Sequence, residues 1–77
     1  MEYVLFTMNG CLKCLEAKKL LNEYRYSYIE KNILLDVDAR IELLKHVNEL
    51  VAPVLLNLKN NQVLLWHELK NQKTICE

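Results

Sequence analysis

Two cysteines separated by two residues stand in the stretch TMNGCLKCLEAKKLL, and the chain's single glycine directly precedes the first of them. Cys11 and Cys14 are therefore the residues with the clearest capacity for chemistry. Close thiols have three uses: a structural disulfide, a soft-metal clamp, or a dithiol that exchanges electrons with other disulfides. A free cysteine of pKa ~8.5 is only about 3% thiolate at pH 7, so reactivity requires an environment that favours the anion. A helix N-terminus is such an environment. Its first N–H groups lack partners, and it carries about half a positive charge.

The elements around the pair supply that environment. Tyr3 to Thr7 (YVLFT) is a β-branched and aromatic run, expected to be a buried strand. Met8-Asn9-Gly10 reads as a turn, with Gly10 free to take positive φ. From Leu12 the period becomes helical. Cys14, Ala17, Leu20, Leu21 and Tyr24 recur on one face, and Lys13, Glu16, Lys18, Lys19 and Glu23 occupy the other. Cys11 thus falls where a strand's turn becomes a helix, with Lys13 adding positive charge. Cys14, one turn further in, lacks that exposure. Cys11 is the expected nucleophile, and Cys14 the resolving thiol that closes a disulfide onto it. A C-x-x-C between a strand and a helix is a much stronger signal than the spacing alone.

Downstream, Tyr26 to Ile29 reads as a second strand and Glu30 to Leu35 as a connection. Asp36 or Asp38 can cap a second helix, whose inner face is expected to hold Val37, Ile41, Leu44, Val47 and Leu50. Pro53 opens a third strand, Val54 to Leu58, at a position that tolerates a missing N–H. Asn60-Asn61 is expected to turn tightly into a fourth strand, Val63 to Trp66. The last eleven residues, HELKNQKTICE, read as a short helix or a frayed end. The order is βαβαββ, with the first two strands parallel and the last two an antiparallel hairpin.

Composition narrows the functional classes. Seventy-seven residues make one domain, and 52% of them are hydrophobic. A chain this short buries roughly 60% of its unfolded surface, so a core this rich can hold it without staples or a metal. Ten basic residues balance ten acidic ones, which gives no footprint for nucleic acid or an anionic membrane. No apolar run approaches the length of a membrane span, and MEYVLFTMNG does not read as a signal peptide. An odd cysteine count without a signal favours a reducing, cytoplasmic setting, where a close pair is catalytic or metal-binding.

At these residues the sequence resembles the glutaredoxin branch of the thioredoxin superfamily. VLFTMNGCLKC stands where glutaredoxins have a strand, a turn and the redox pair. YSYIEKNIL and the capped helix match the second strand and helix, and VAPVLL lies where the family has Thr-Val-Pro and a strand. The resemblance implies a minimal thioredoxin fold with a four-stranded mixed sheet, in one domain covering residues 1–77. It implies a dithiol-disulfide oxidoreductase acting on protein or glutathione mixed disulfides. It further implies that Pro53 is cis beside the redox pair and that Ala52 offers backbone hydrogen bonds to a bound thiol substrate. Gly10, Leu12, Lys13, Ala52 and Pro53 are then the candidate substrate-binding residues.

The chain differs from glutathione-binding members at several points. Met8 replaces a basic residue, Leu12-Lys13 replaces Pro-Tyr, and HELKNQ replaces a Gly-Gly-x-Asp segment. Similarity to the small redoxins that serve ribonucleotide reductase points to a thioredoxin reductase as the alternative electron donor. No bound cofactor is required, glutathione stands as a candidate co-substrate, and the chain is expected to act as a monomer. The rival reading is a copper-binding or chaperone domain using the same two thiolates. A zinc site would need further ligands, and Cys76, His46 and His67 show no regular ligand spacing.

Overall fold

The computed structural model describes residues 3–65. Within them the elements are β1 (Tyr3–Thr7), α1 (Leu12–Glu23), β2 (Tyr28–Asn32), α2 (Val37–Val47), β3 (Val54–Asn57) and β4 (Gln62–Leu65). The four strands form one sheet in the order β2-β1-β3-β4. β1 pairs parallel with β2 and antiparallel with β3, and β3 pairs antiparallel with β4.

Each face of the sheet carries a helix. Val4, Phe6, Val54 and Leu56 face α2 and pack with Ile33, Ala39 and Leu43. Leu5 and Leu55 face the other way and pack with Ala17 and Leu21 of α1. This is why YVLFT reads as a continuous apolar run rather than an alternating one: β1 is central and covered on both sides.

β2 begins two residues later than the sequence suggests and runs through Asn32. The exit from α1 consumes the intervening residues. Tyr26 N–H bonds to the Leu21 carbonyl at 2.9 Å, and Arg25 takes the left-handed conformation at φ 59°. Glu30 and Lys31, expected in a connection, are paired strand residues opposite Leu5 and Phe6. β2 is an edge strand, and charged side chains on an edge discourage pairing with other chains. That feature hides the strand from a search for apolar runs.

α2 starts where a cap is expected. Asp36 is the residue that caps it, accepting from the Ala39 N–H at 3.2 Å, and Asp38 lies in the first turn. Asp36→Ala is expected to cost about 1 kcal/mol in urea unfolding. The helix is rotated relative to the expected face. Ala39 and Leu43 are buried, whereas Val37, Ile41 and Leu44 are exposed, as is Leu50 beyond the helix. Of the expected inner residues only Val47 packs against the core. Two polar contacts hold this phase: Arg40 donates to the Ile33 carbonyl at 3.3 Å, and Lys31 pairs with Glu42 at 3.0 Å. With Ala39 inward, the helix can lie close to the sheet.

On α1, Cys14, Ala17 and Leu21 are buried as expected, while Leu20 and Tyr24 are half-buried. β3 ends at Asn57, one residue early. The hairpin loop is four residues, Leu58 to Asn61, rather than a two-residue turn, since Asn57 pairs with Gln62. Asn61 alone in that loop is left-handed, and its N–H bonds to the Asn57 carbonyl at 2.8 Å. Trp66, the proposed C-terminal helix, His67 and Cys76 lie outside the described residues.

Candidate redox site

The site is assembled at one end of the sheet, where β1 stops and the chain turns into α1. Gly10 takes φ +73°, the region that only glycine enters without steric cost, and it aims the following residue at the helix start. A Cβ at this position would meet nothing within 4 Å. The approach over Gly10 is thus open, and a side chain there is opposed by backbone conformation alone. Gly10→Ala is expected to cost about 1 kcal/mol in chemical denaturation.

Cys11 is the N-cap of α1. Its backbone is extended, at φ −97° and ψ 106°, and its Sγ accepts the Cys14 N–H at 3.0 Å. The sulfur thus does the work usually done by a serine or aspartate oxygen. The first turn of α1 contains no acidic residue, so nothing there offsets the positive end of the helix. Cys11 and Cys14 are joined as a disulfide, with Cα atoms 5.2 Å apart. Their exposure differs: Cys11 is partly open to solvent, whereas Cys14 is 3% exposed. The Cys14 N–H and the helix end both direct positive partial charge at the Cys11 sulfur.

Pro53 reaches this end of the sheet through strand register. Val54 pairs with Phe6, which sets Pro53 beside the end of β1, four residues before Cys11. The Ala52–Pro53 peptide bond is cis, and Pro53 is fully buried. Ala52, Val51 and Met8 pack against the same core cluster. Met8, where the resemblance leads one to expect a basic residue, therefore contributes to packing. Leu12 is 78% exposed, and Lys13 is also exposed.

A cleft of about 380 Å³ opens beside the disulfide. It takes in Gly10, Cys11, Leu12 and Cys14, but Lys13, Ala52 and Pro53 do not line it. Its far wall is polar and was not among the residues singled out from sequence. Thr7, the one buried polar residue among those described, donates to Glu30 Oε2 at 2.9 Å, and Lys18 pairs with the same carboxylate at 3.2 Å. Asn32 Nδ2 donates to Asn9 Oδ1 at 2.6 Å across the mouth. Nothing in the spacing of these residues links them. They meet because β2 lies parallel to β1, and no local signal marks them, since Glu30 reads in the sequence as part of a connection. A smaller cavity of about 100 Å³, between Tyr3, Tyr26 and Leu64, holds no nucleophile.

Among the described residues no group of three or more His, Cys, Asp or Glu side chains could hold a metal ion, and no helix is long and apolar enough to cross a membrane. His46 sits on α2, half-buried.

No curated protein matches the chain. Among solved structures, the thioredoxin-like protein BC3987 is similar with a TM-score of 0.81 and 19% identity, covering 96% of this chain and 99% of that one. A point mutant of the same protein gives 0.82 at 17% identity, covering 99% and 100%. The solution structure of glutaredoxin from Brucella melitensis gives 0.75 at 17% identity, covering 97% of this chain and 80% of that one. At these identities the likeness carries the fold. The glutaredoxin family model matches residues 3–57, a span that holds the redox pair, both helices and the cis-proline strand. By that match the chain belongs to the glutaredoxin family.

Proposed function

We propose that the protein is a dithiol-disulfide oxidoreductase that reduces protein or glutathione mixed disulfides in the cytoplasm. The observation that carries this reading is the asymmetry of the pair: Cys11 caps α1 with its sulfur and is partly open, and Cys14 is buried behind it. The Cys11 thiolate attacks a substrate disulfide, forms a mixed disulfide and releases one substrate thiolate. The Cys14 thiolate then attacks Cys11 Sγ, releases the second substrate thiol and closes the Cys11–Cys14 disulfide. Two electrons from glutathione, or from a thioredoxin reductase, return the pair to the dithiol.

Gly10, Leu12, Lys13, Ala52 and Pro53 are the residues proposed to contact substrate. Open space over Gly10 gives a partner access, and the exposed Leu12 gives it an apolar contact beside the attacking sulfur. The proposed role of Ala52 is to present backbone hydrogen-bonding groups to the incoming chain. The reaction needs no bound cofactor.

The test is turnover of a small mixed disulfide with glutathione in one arm and thioredoxin reductase in the other. Turnover in either arm supports the reading and identifies the donor. Absence of turnover in both, together with tight Cu(I) binding by the reduced protein in a competition titration, would replace it with the metal-binding alternative.

A further inference from the structure

The outer face of α2 carries a stripe of exposed aliphatic side chains that no described element packs against. Val37 is 57% exposed, Ile41 49% and Leu44 39%, at a spacing that places them on one side of the helix. Leu34 and Leu35, in the turn that leads into α2, are exposed as well. Isolated surface leucines are ordinary, but three large aliphatic side chains along one exposed helix face, with two more in the turn before it, mark an interaction surface.

The charges beside the stripe specify its occupant. With 3.6 residues per turn, Asp38 and Lys45 both fall about 40–60° to one side of Ile41, and Val37 and Leu44 fall by similar angles to the other. Neither Asp38 nor Lys45 has an ion-pair partner among the described residues. Consider a second α2 packed antiparallel across a two-fold axis at Ile41. Such an axis keeps each edge of the stripe on its own side and reverses its direction. Ile41 then meets Ile41 of the other copy. Val37 lies beside Leu44 on the apolar edge, and Asp38 lies beside Lys45 on the charged edge, each contact occurring twice. A face that is complementary to itself in both shape class and charge fits an isologous contact.

We propose that the chain forms a homodimer through antiparallel packing of α2, with Ile41 at the centre and paired Asp38–Lys45 contacts at the edge. This sets aside the expectation of a monomer. Eleven helical residues rise only about 16 Å, so the interface is small and the affinity is in the micromolar range rather than tighter. The surface is independent of Cys11 and Cys14, and the inference does not rest on the proposed activity.

Sedimentation equilibrium of the full chain, from micromolar to near-millimolar concentration with a thiol reductant present, tests this directly. The reductant removes any disulfide-linked association. The expected result is a reversible monomer–dimer equilibrium. Ile41→Glu is expected to leave a monomer with unchanged circular dichroism, since position 41 faces solvent in the free subunit. Lys45→Asp places acid against acid twice and is expected to weaken the dimer about tenfold. Adding Asp38→Lys to it restores opposite charges and is expected to recover the loss. A chain that stays monomeric throughout the range overturns the proposal and leaves the face to a different partner. A dimer indifferent to Ile41→Glu, or a charge swap that fails to rescue Lys45→Asp, overturns it equally.

Discussion

Replacing Cys11 with serine is expected to lower disulfide turnover at least about a thousandfold with either electron donor, because a hydroxyl at this position stays protonated and cannot displace a thiolate. The fold should survive, since a serine oxygen can accept the Cys14 N–H now taken by Sγ and remains a good N-cap. Unchanged circular dichroism alongside lost turnover is therefore the expected pair of readings. Cys14→Ser separates two chemistries. Without a resolving thiol, the mixed disulfide between Cys11 and a protein substrate persists and should be trapped as a covalent complex. Turnover of glutathione mixed disulfides should continue only if a second glutathione can attack Cys11 Sγ directly. Comparing Cys14→Ser with the unmodified chain in the glutathione arm thus identifies the co-substrate. Substantial turnover by Cys11→Ser would reassign the nucleophile and exclude Cys11 from that role.

Leu43→Ala is expected to be the most damaging single change on α2. Leu43 is fully buried against Phe6, Val54 and Leu56, and removing it leaves a cavity in the core. Such truncations cost about 2–5 kcal/mol. A chain of this length has a total stability on the order of 4–12 kcal/mol, so the variant should lose at least about 10 °C in Tm. Ile41→Ala, two residues away, should change stability by no more than about 0.5 kcal/mol when measured at low concentration. Reading apolar positions from sequence alone would reverse this order, since Ile41 belongs to the larger aliphatic set and Leu43 does not. Equal losses at the two sites, or a larger loss at Ile41, would show that α2 sits on the sheet in the other phase. Urea unfolding of both variants at micromolar concentration decides between them.

The features legible in the amino-acid sequence are local ones. The strand-to-helix switch around Cys11 follows from a change of apolar period and from a single glycine, and both act over a few residues. The same holds for β1, for the limits of α1, for the cap near Asp36 and for the order βαβαββ. Each depends on backbone preference or on periodicity within one element, which a linear pattern records. The redox pair was legible for this reason: both cysteines and the helix end that differentiates them lie within four residues.

The remaining features depend on which element lies beside which. The phase of α2 is one. Two apolar sets, Val37-Ile41-Leu44 and Ala39-Leu43-Val47, compete for the sheet. The smaller residues win because Ala39 permits a close approach while Arg40 and Glu42 are tied to Ile33 and Lys31. The extent of β2 is another, since charged Glu30 and Lys31 belong to a strand only by pairing with β1. The polar wall of Thr7, Glu30 and Lys18 beside the disulfide draws on three elements and exists only once they are assembled. The placement of Pro53 next to the end of β1 is likewise a matter of register between β1 and β3, set by the pairing of Phe6 with Val54, and no local rule of chain conformation encodes it.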